Sequence, residues 1–345
     1  MIINEKIIDE LEKPYVIAEL SANHGGSIER AKQSIKEAAK TGISAVKIQS
    51  YTPDSMTIKS NKKDFYISEG LWKGFQLYDL YQQAYTPYEW HKELFECAKR
   101  EKITLISTPF DENAVDLLVE LNTPAFKIAS FEIVDIPLIQ YIAKQNKPIL
   151  MSTGMASLEE IDEALKSIRE ISDVDILLFH CISSYPTPTR ESNLANIPFL
   201  RNKFGVKVGL SDHTISNLAA IVSIGMGAVA IEKHFKLDDE ECGPDSSFSL
   251  NIKQLDNLVH DCNSAWEAKG IKDFNRSKLE RNNLVFRRSI YFVNNLKKGD
   301  TITKKDIRII RPGYGLKPKY FDKVVGKVVT KDVERGDPLR WEIIN

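Results

Sequence analysis

Eight short runs of apolar and β-branched residues, each separated from the next by a longer amphipathic stretch, constrain this chain more than any other feature. The runs fall at 16–20, 45–49, 104–107, 125–129, 148–152, 176–180, 206–210 and 228–232. Runs this short that lack polar alternation suit strands buried on both faces, and the helical periodicity between them suits crossover helices. Such alternation builds a parallel sheet, and eight strands favour closure into a (βα)8 TIM barrel, an α/β fold. Helices are predicted over 28–40, 87–100, 113–121, 136–145, 157–170, 217–225 and 252–269, with Ser157 and Glu160 spaced for a capping box.

A barrel of this kind uses about 250 residues, and the chain has 345. The surplus lies at the C-terminal end. Residues 1–269 are read as the barrel, the polar 270–283 as a linker, and 284–345 as a small β-rich domain with turn signals at Lys298-Gly299-Asp300 and Arg335-Gly336-Asp337. One connection is too long for its place. The segment 59–85, carrying Trp72, Tyr78 and Tyr81, reads as an insertion on the barrel rim and a candidate substrate wall.

Charge narrows the functional classes. With 47 Lys and Arg against 48 Asp and Glu, no global field draws the chain to nucleic acid or an anionic membrane. No apolar run approaches the roughly 18 residues of a membrane span, and the charged N-terminal stretch lacks a signal-peptide core, so a cytoplasmic protein is expected. Cys97, Cys181, Cys242 and Cys262 are far apart with no CxxC pair, and they read as reduced thiols.

In a (βα)8 barrel chemistry collects where the strands end. Glu19, Lys47, Thr108, Lys127, Ser130, Ser152, Ser211, His213, Glu232 and His234 all stand at such ends. Lys47 and Lys127 interrupt apolar runs, and a buried ammonium without a partner is costly, so an anionic ligand is expected, with Ser130, Ser152 and Ser211 as further donors. Salt bridges to neighbouring carboxylates, Glu19 pairing with Lys47 among them, are the plainer reading. His213 and His234 close adjacent runs, where two imidazoles could share a divalent metal. The acidic run 238–241 reads as a solvated loop, with Asp245 set apart behind Gly243-Pro244.

The ordered motifs resemble a known family. Glu19-Leu20-Ser21-Ala22-Asn23-His24, Val46-Lys47-Ile48-Gln49, Lys127-Ile128-Ala129-Ser130, Ser152-Thr153-Gly154, Tyr185-Pro186-Thr187-Pro188, Ser211-Asp212-His213, Glu232-Lys233-His234-Phe235 and Gly243-Pro244-Asp245 are similar to those of sialic acid synthases. The last 60 or so residues resemble the antifreeze-like (SAF) domain that ends those enzymes. Ser21 to His24, the segment 49–57 and Gly70-Leu71-Trp72-Lys73-Gly74 sit nearer the branch that forms pseudaminic acid.

The resemblance implies condensation of phosphoenolpyruvate with the open-chain aldehyde of an N-acetylated amino sugar. In the pseudaminate branch that sugar is 2,4-diacetamido-2,4,6-trideoxy-L-altrose. It implies His213 and His234 as ligands of a divalent metal, typically Mn2+, with Mg2+ or Co2+ as substitutes. Lys47, Thr108, Lys127, Ser130, Ser152 and Ser211 would hold phosphoenolpyruvate, Glu19 and Asp245 would move protons, and Tyr185 would touch the sugar. It further implies a domain-swapped homodimer in which Arg311, of Arg311-Pro312-Gly313, reaches the partner's sugar. One departure stands out: the N-acetylneuraminate branch carries an Asn in the turn before its Tyr-Pro-Thr, where this chain has Ile182-Ser183-Ser184, which counts against N-acetylmannosamine as substrate.

Overall fold

The computed structural model describes residues 1–240 and 243–345, so the fourth cysteine, Cys242, and the end of the acidic run, Glu241, lie outside the described residues. Cys97, Cys181 and Cys262 are buried free thiols. The chain divides into two compact units, Met1–Gly270 and Ile271–Asn345.

The first unit is a closed barrel. An antiparallel hairpin, β1 (Ile2–Ile3) with β2 (Lys6–Ile7), precedes the eight parallel strands. These are β3 (Tyr15–Glu19), β4 (Ala45–Ser50), β5 (Thr104–Pro109), β6 (Phe126–Ile128), β7 (Ile149–Ser152), β8 (Ile176–Cys181), β9 (Lys207–Asp212) and β10 (Ala230–His234), with β10 pairing back onto β3. Each crossover helix buries one stripe against the strands. Helix Ile28–Ala39 buries Ala31, Ser34, Ile35 and Ala38 and is capped by the Ser27 hydroxyl. Helix Leu158–Arg169 opens with the predicted Ser157/Glu160 capping box.

Three elements differ from the sequence reading. Strand β10 continues to His234, past the apolar run that ends at residue 232, because its polar residues are buried as fully as its apolar ones. Helix Asn196–Phe204 went unpredicted: it has no side-chain cap and a weak apolar stripe, and it ends at Gly205 in the left-handed conformation. The insertion also carries an unpredicted helix, Leu77–Ala84. Among the described residues no helix is long and apolar enough to cross a membrane.

The second unit pairs β11 (Ser289–Phe292) antiparallel with β12 (Ile307–Ile310). Ile290, Phe292, Ile302, Ile307, Val324, Val329, Val333 and Leu339 make its core. The stretch read as a linker holds a short helix, Lys278–Asn282, capped by Ser277 and Glu280.

Candidate active site

Side chains alternate across a strand, so every second residue of β3 to β10 faces the barrel interior. At the lower end these residues are apolar: Tyr15 and Ile17, Ala45, Ile106, Leu150, Leu177 and Phe179, and Ala230 form one cluster, closed below by Ile3 and Ile8. One step further along the same strands they become Glu19, Lys47, Thr108, Lys127, Ser152, Ser211 and Glu232, all buried. The interior thus has an apolar floor and a polar mouth at the strands' C-terminal ends. Register brings the polar residues together, with Glu19 paired to Lys47 and His234, and Glu232 to Ser211.

The two lysines are not without partners. Lys47 Nζ lies 2.8 Å from Glu19 and 3.4 Å from Glu232, and Lys127 Nζ lies 3.1 Å from Glu232. This corrects the premise that unpaired ammonium groups call for an anion; the salt-bridge reading holds for both lysines, and Glu19 does partner Lys47. Lys47 also donates to Thr108 Oγ1 at 3.3 Å, and Ser211 Oγ donates to Glu232 at 3.4 Å. The two carboxylates differ. Burial pushes Glu19 up to about 7 against the pull of Lys47. Burial acts on Glu232 too, but Lys127 and Lys47 together hold it down at about 2. Near neutral pH Glu19 is therefore only part ionised, so the two lysines face fewer than two full negative charges, although burial also lowers the pKa of Lys127. That surplus is room for an anion.

Hydroxyls border this cluster. Ser152 Oγ and Ser183 Oγ are buried without a hydrogen-bond partner, which is costly unless a ligand supplies one. Ser130 Oγ accepts the Gly154 N–H at 3.1 Å. A Cβ on Gly154 would collide with the hydroxyls of Ser183 and Ser130, so glycine keeps the backbone N–H and both hydroxyls in one small space.

The opposite side is built from β9 and β10. His213 and His234 rings are 5.5 Å apart. His213 Nδ1 donates to the Ile182 carbonyl at 3.0 Å, which points Nε2 away from that carbonyl; burial works against the charged ring, but Cys181 beside it raises the His213 pKa above 6.5. His234 Nδ1 is buried with no hydrogen bond, and burial holds this ring's pKa well below 6.5, so it stays neutral. Two adjacent imidazoles, of which His234 is neutral with an orphaned nitrogen, fit a divalent metal in kind once His213 is deprotonated as well, although no third His, Cys, Asp or Glu completes a ligand group among the described residues. Asp245 stands nearby, its Oδ2 3.7 Å from His234 Nδ1 and 2.5 Å from the Ser21 hydroxyl that donates to it. Burial raises its pKa. A Cβ at Gly243 would meet the Ala22 carbonyl at 2.6 Å, and this close approach lets the loop deliver Asp245 to Ser21.

Behind the histidines a buried ion pair ties the strands. Lys233 Nζ reaches Asp212 at 2.6 Å and donates to the carbonyls of Thr214 and Ser216. Each member of the pair adjoins one of the two histidines in sequence. Tyr185 packs on His213 with ring centroids 4.3 Å apart. His24 and His180 serve structure: His24 Nδ1 accepts from Gly26 N, and His180 Nε2 donates to the Ser192 carbonyl. Asp238 pairs with Arg30 at 2.6 Å, and Asp239 accepts from Asn251. Arg311 is exposed in the second unit, just after β12.

Sequence reasoning gave no role to three residues at this site. Glu232 was seen at a strand end, and its position two residues before His234, on the same face, was the available signal. Glu132 lies in the turn Ser130–Val134. Its Oε2 is buried without a partner, and burial pushes its pKa up to about 7. Ser21, the donor to Asp245, has φ +45°, a left-handed backbone that nothing in the sequence announced.

A closed eight-stranded barrel with an apolar floor, a polar mouth and titratable groups of divergent pKa defines a (βα)8-barrel enzyme. Comparison with known proteins makes the assignment finer. Residues 34–273 match the NeuB family, and residues 287–344 match the SAF domain. The chain belongs to the NeuB family. It is 42% identical over 329 residues to the pseudaminic acid synthase of Campylobacter jejuni strain 81-176, covering 95% of this chain and 96% of that one. It is 40% identical to the pseudaminic acid synthase of Helicobacter pylori, covering 95% and 97%. The crystal structure of the N-acetylneuraminic acid synthetase of Leptospira borgpetersenii, in complex with citrate, superimposes with TM-score 0.72 at 27% identity, covering 79% of this chain and 91% of that one.

Proposed function

We propose that the chain is a pseudaminic acid synthase, condensing phosphoenolpyruvate with the open-chain aldehyde of 2,4-diacetamido-2,4,6-trideoxy-L-altrose to give pseudaminic acid and phosphate. The observation that carries it is a single barrel mouth holding two buried lysines, one of whose carboxylate partners is only part ionised, on one side and two adjacent imidazoles on the other. It occurs in a chain 42% identical to a pseudaminic acid synthase over nearly its whole length.

The chemistry assigns each side a task. Phosphoenolpyruvate is held by Lys47 and Lys127, with Thr108, Ser130, Ser152 and Ser211 donating to its oxygens. The aldehyde carbon of the sugar faces the enol C3, which attacks it to form the new C–C bond. The aldehyde oxygen takes up a proton, for which Asp245 is the source, its pKa raised by burial and its carboxyl held by Ser21. Water adds at C2 of phosphoenolpyruvate and gives its proton to Glu132 or Glu19, both poised at about 7. The C2–O bond to phosphate then breaks as the hydroxyl left on C2 passes its proton to the departing phosphate, leaving the 2-keto acid. His213 and His234 would hold a divalent metal, Mn2+ first and Mg2+ or Co2+ as substitutes, which when bound supplies Lewis-acid polarisation of the aldehyde. The sugar contacts Tyr185. The working unit is a cytoplasmic domain-swapped homodimer, in which the partner subunit's Arg311 reaches the acylamino group.

The test is phosphate release from phosphoenolpyruvate by purified protein with Mn2+, across a panel of acylamino hexoses. Release with the 2,4-diacetamido-6-deoxy sugar is expected, and silence with every sugar would sink the enzymatic reading. Release with N-acetylmannosamine in its place would make this an N-acetylneuraminate synthase, the reading favoured by the Leptospira structure. Preference for the legionaminate precursor would move it to that branch.

A further inference from the structure

The insertion between β4 and helix Tyr88–Arg100 folds into a small hairpin. Ile67 N donates to the Phe75 carbonyl and Gly74 N to the Ile67 carbonyl, and Tyr66 bridges Gln76. Gly70 and Gly74, with φ +84° and +91°, turn the chain at its tip. Trp72 lies between them. Its side chain does not follow Leu71 and Phe75, which are half exposed, but turns toward the barrel mouth.

Two contacts fix where it goes. The indole N–H donates to the Pro244 carbonyl at 3.1 Å, one residue before Asp245. The ring stands 5.6 Å from Tyr185, tilted by 46°. Tyr185 in turn touches His213, and Phe248 lies 5.3 Å from Tyr185 and 5.0 Å from His234. Trp72, Tyr185 and Phe248 thus make a continuous aromatic wall on the histidine side, away from the lysines. The indole's one polar atom is already bonded to Pro244, so this part of the wall has only carbon surface left to offer.

The indole face, unlike the Tyr185 hydroxyl beside it, has no free donor, and such a surface recognises C–H groups and methyls and gives nothing to a hydroxyl. We infer that Trp72 is a specificity-determining residue of the acceptor subsite, selecting an aldose that presents methyl groups, a deoxygenated terminal carbon or an acetamido methyl, over its hydroxylated counterpart. This rests on the function proposed above and adds which feature of the sugar is read and by what. The size of the effect is bounded. An apolar surface rejects an added hydroxyl by at most about 100-fold, so the expected preference for the 6-deoxy acceptor over its 6-hydroxy analogue is on the order of 10- to 100-fold in kcat/KM.

The experiment compares wild type, Trp72→Phe and Trp72→Ala with the two acceptors and with phosphoenolpyruvate. Trp72→Ala should raise the KM of the 6-deoxy sugar roughly 10-fold and bring the two acceptors within about threefold of each other, while the KM for phosphoenolpyruvate moves less than about twofold. Trp72→Phe, which keeps a ring but not the N–H, should retain most of the preference. Indole fluorescence gives a reading that needs no turnover: adding the 6-deoxy sugar should perturb the wild-type emission, and the perturbation should vanish in Trp72→Phe although Trp90, Trp266 and Trp341 remain. An active wild type whose selectivity survives Trp72→Ala overturns the inference, as does an equal fluorescence change in wild type and Trp72→Phe. A wild type that releases phosphate with no acceptor defeats the proposed function instead, and the fluorescence titration still decides the role of Trp72.

Discussion

Replacing Glu232 with Gln should make the barrel less stable when no anion is bound and more responsive to anions when one is. Glu232 is buried, 3.1 Å from Lys127 and 3.4 Å from Lys47. At an effective dielectric of about 20, each contact is worth roughly 5 kcal/mol of Coulomb attraction, most of it offset by the cost of burying the three charges. The carboxyl sits at about 2 in the folded chain against its ordinary 4.5. That difference corresponds to roughly 3 kcal/mol of stability, present above pH 4.5 and lost as pH falls through 2. Loss of one member of a buried pair costs about 3–5 kcal/mol, so the two routes agree. For a unit of this size that is a fall in Tm of roughly 6–20 °C in anion-free buffer at pH 7.

The second half of the prediction is more discriminating. Phosphate or phosphoenolpyruvate entering wild type must share the lysines with Glu232, whereas in Glu232→Gln it replaces the missing charge. Differential scanning fluorimetry against increasing phosphate should therefore show at least twice the wild-type rise in Tm for the variant. If Glu232→Gln melts like wild type without anion, or if phosphate raises both by the same amount, the lysines are not governed by this carboxylate and the cluster has been misunderstood.

Glu132→Gln should abolish part of the pH dependence of stability: the folded pKa of about 7 lies above the ordinary 4.5, so wild type loses up to about 3 kcal/mol as pH rises from 4.5 through 7. Urea titrations at pH 5 and 8 check this, with the advantage of the variant expected to grow at the higher pH. His234→Ala should retain less Mn2+ after dialysis than wild type, measured by metal analysis; equal content would remove His234 from the ligand set. Lys233→Met strands a buried Asp212, for a loss of about 3–5 kcal/mol in denaturant unfolding, and the double variant with Asp212→Asn should recover most of it.

The barrel was legible because burial on both faces leaves a mark in composition, and because helix stripes repeat every 3.6 residues. The candidate site was legible for a related reason: a lysine or histidine inside an apolar run has few places to be. What stayed hidden was pairing. Nothing local to Lys127 reveals that Glu232, 105 residues away, would partner it. That contact exists only because β10 closes onto β3 and the strand parity aims both side chains inward. The positive φ of Ser21 and the turn of Trp72 toward Pro244 were hidden for the same cause, since both depend on a loop more than 170 residues further along.

The two tiers of the barrel interior have a consequence for how such a chain can change over generations. Ile3, Ile8, Ile17, Ile106, Leu150 and Leu177 hold the lower tier shut, while the mouth two residues above carries both the reacting groups and the buried ion pairs of Glu19, Lys47, Lys127 and Glu232. An edit to those ion pairs therefore puts stability and chemistry at risk together, whereas an edit to the rim loops leaves them in place. A lineage can try a new acceptor sugar by editing the rim, Trp72 and its neighbours, and risk only the old activity. The scaffold that carries the experiment stays standing.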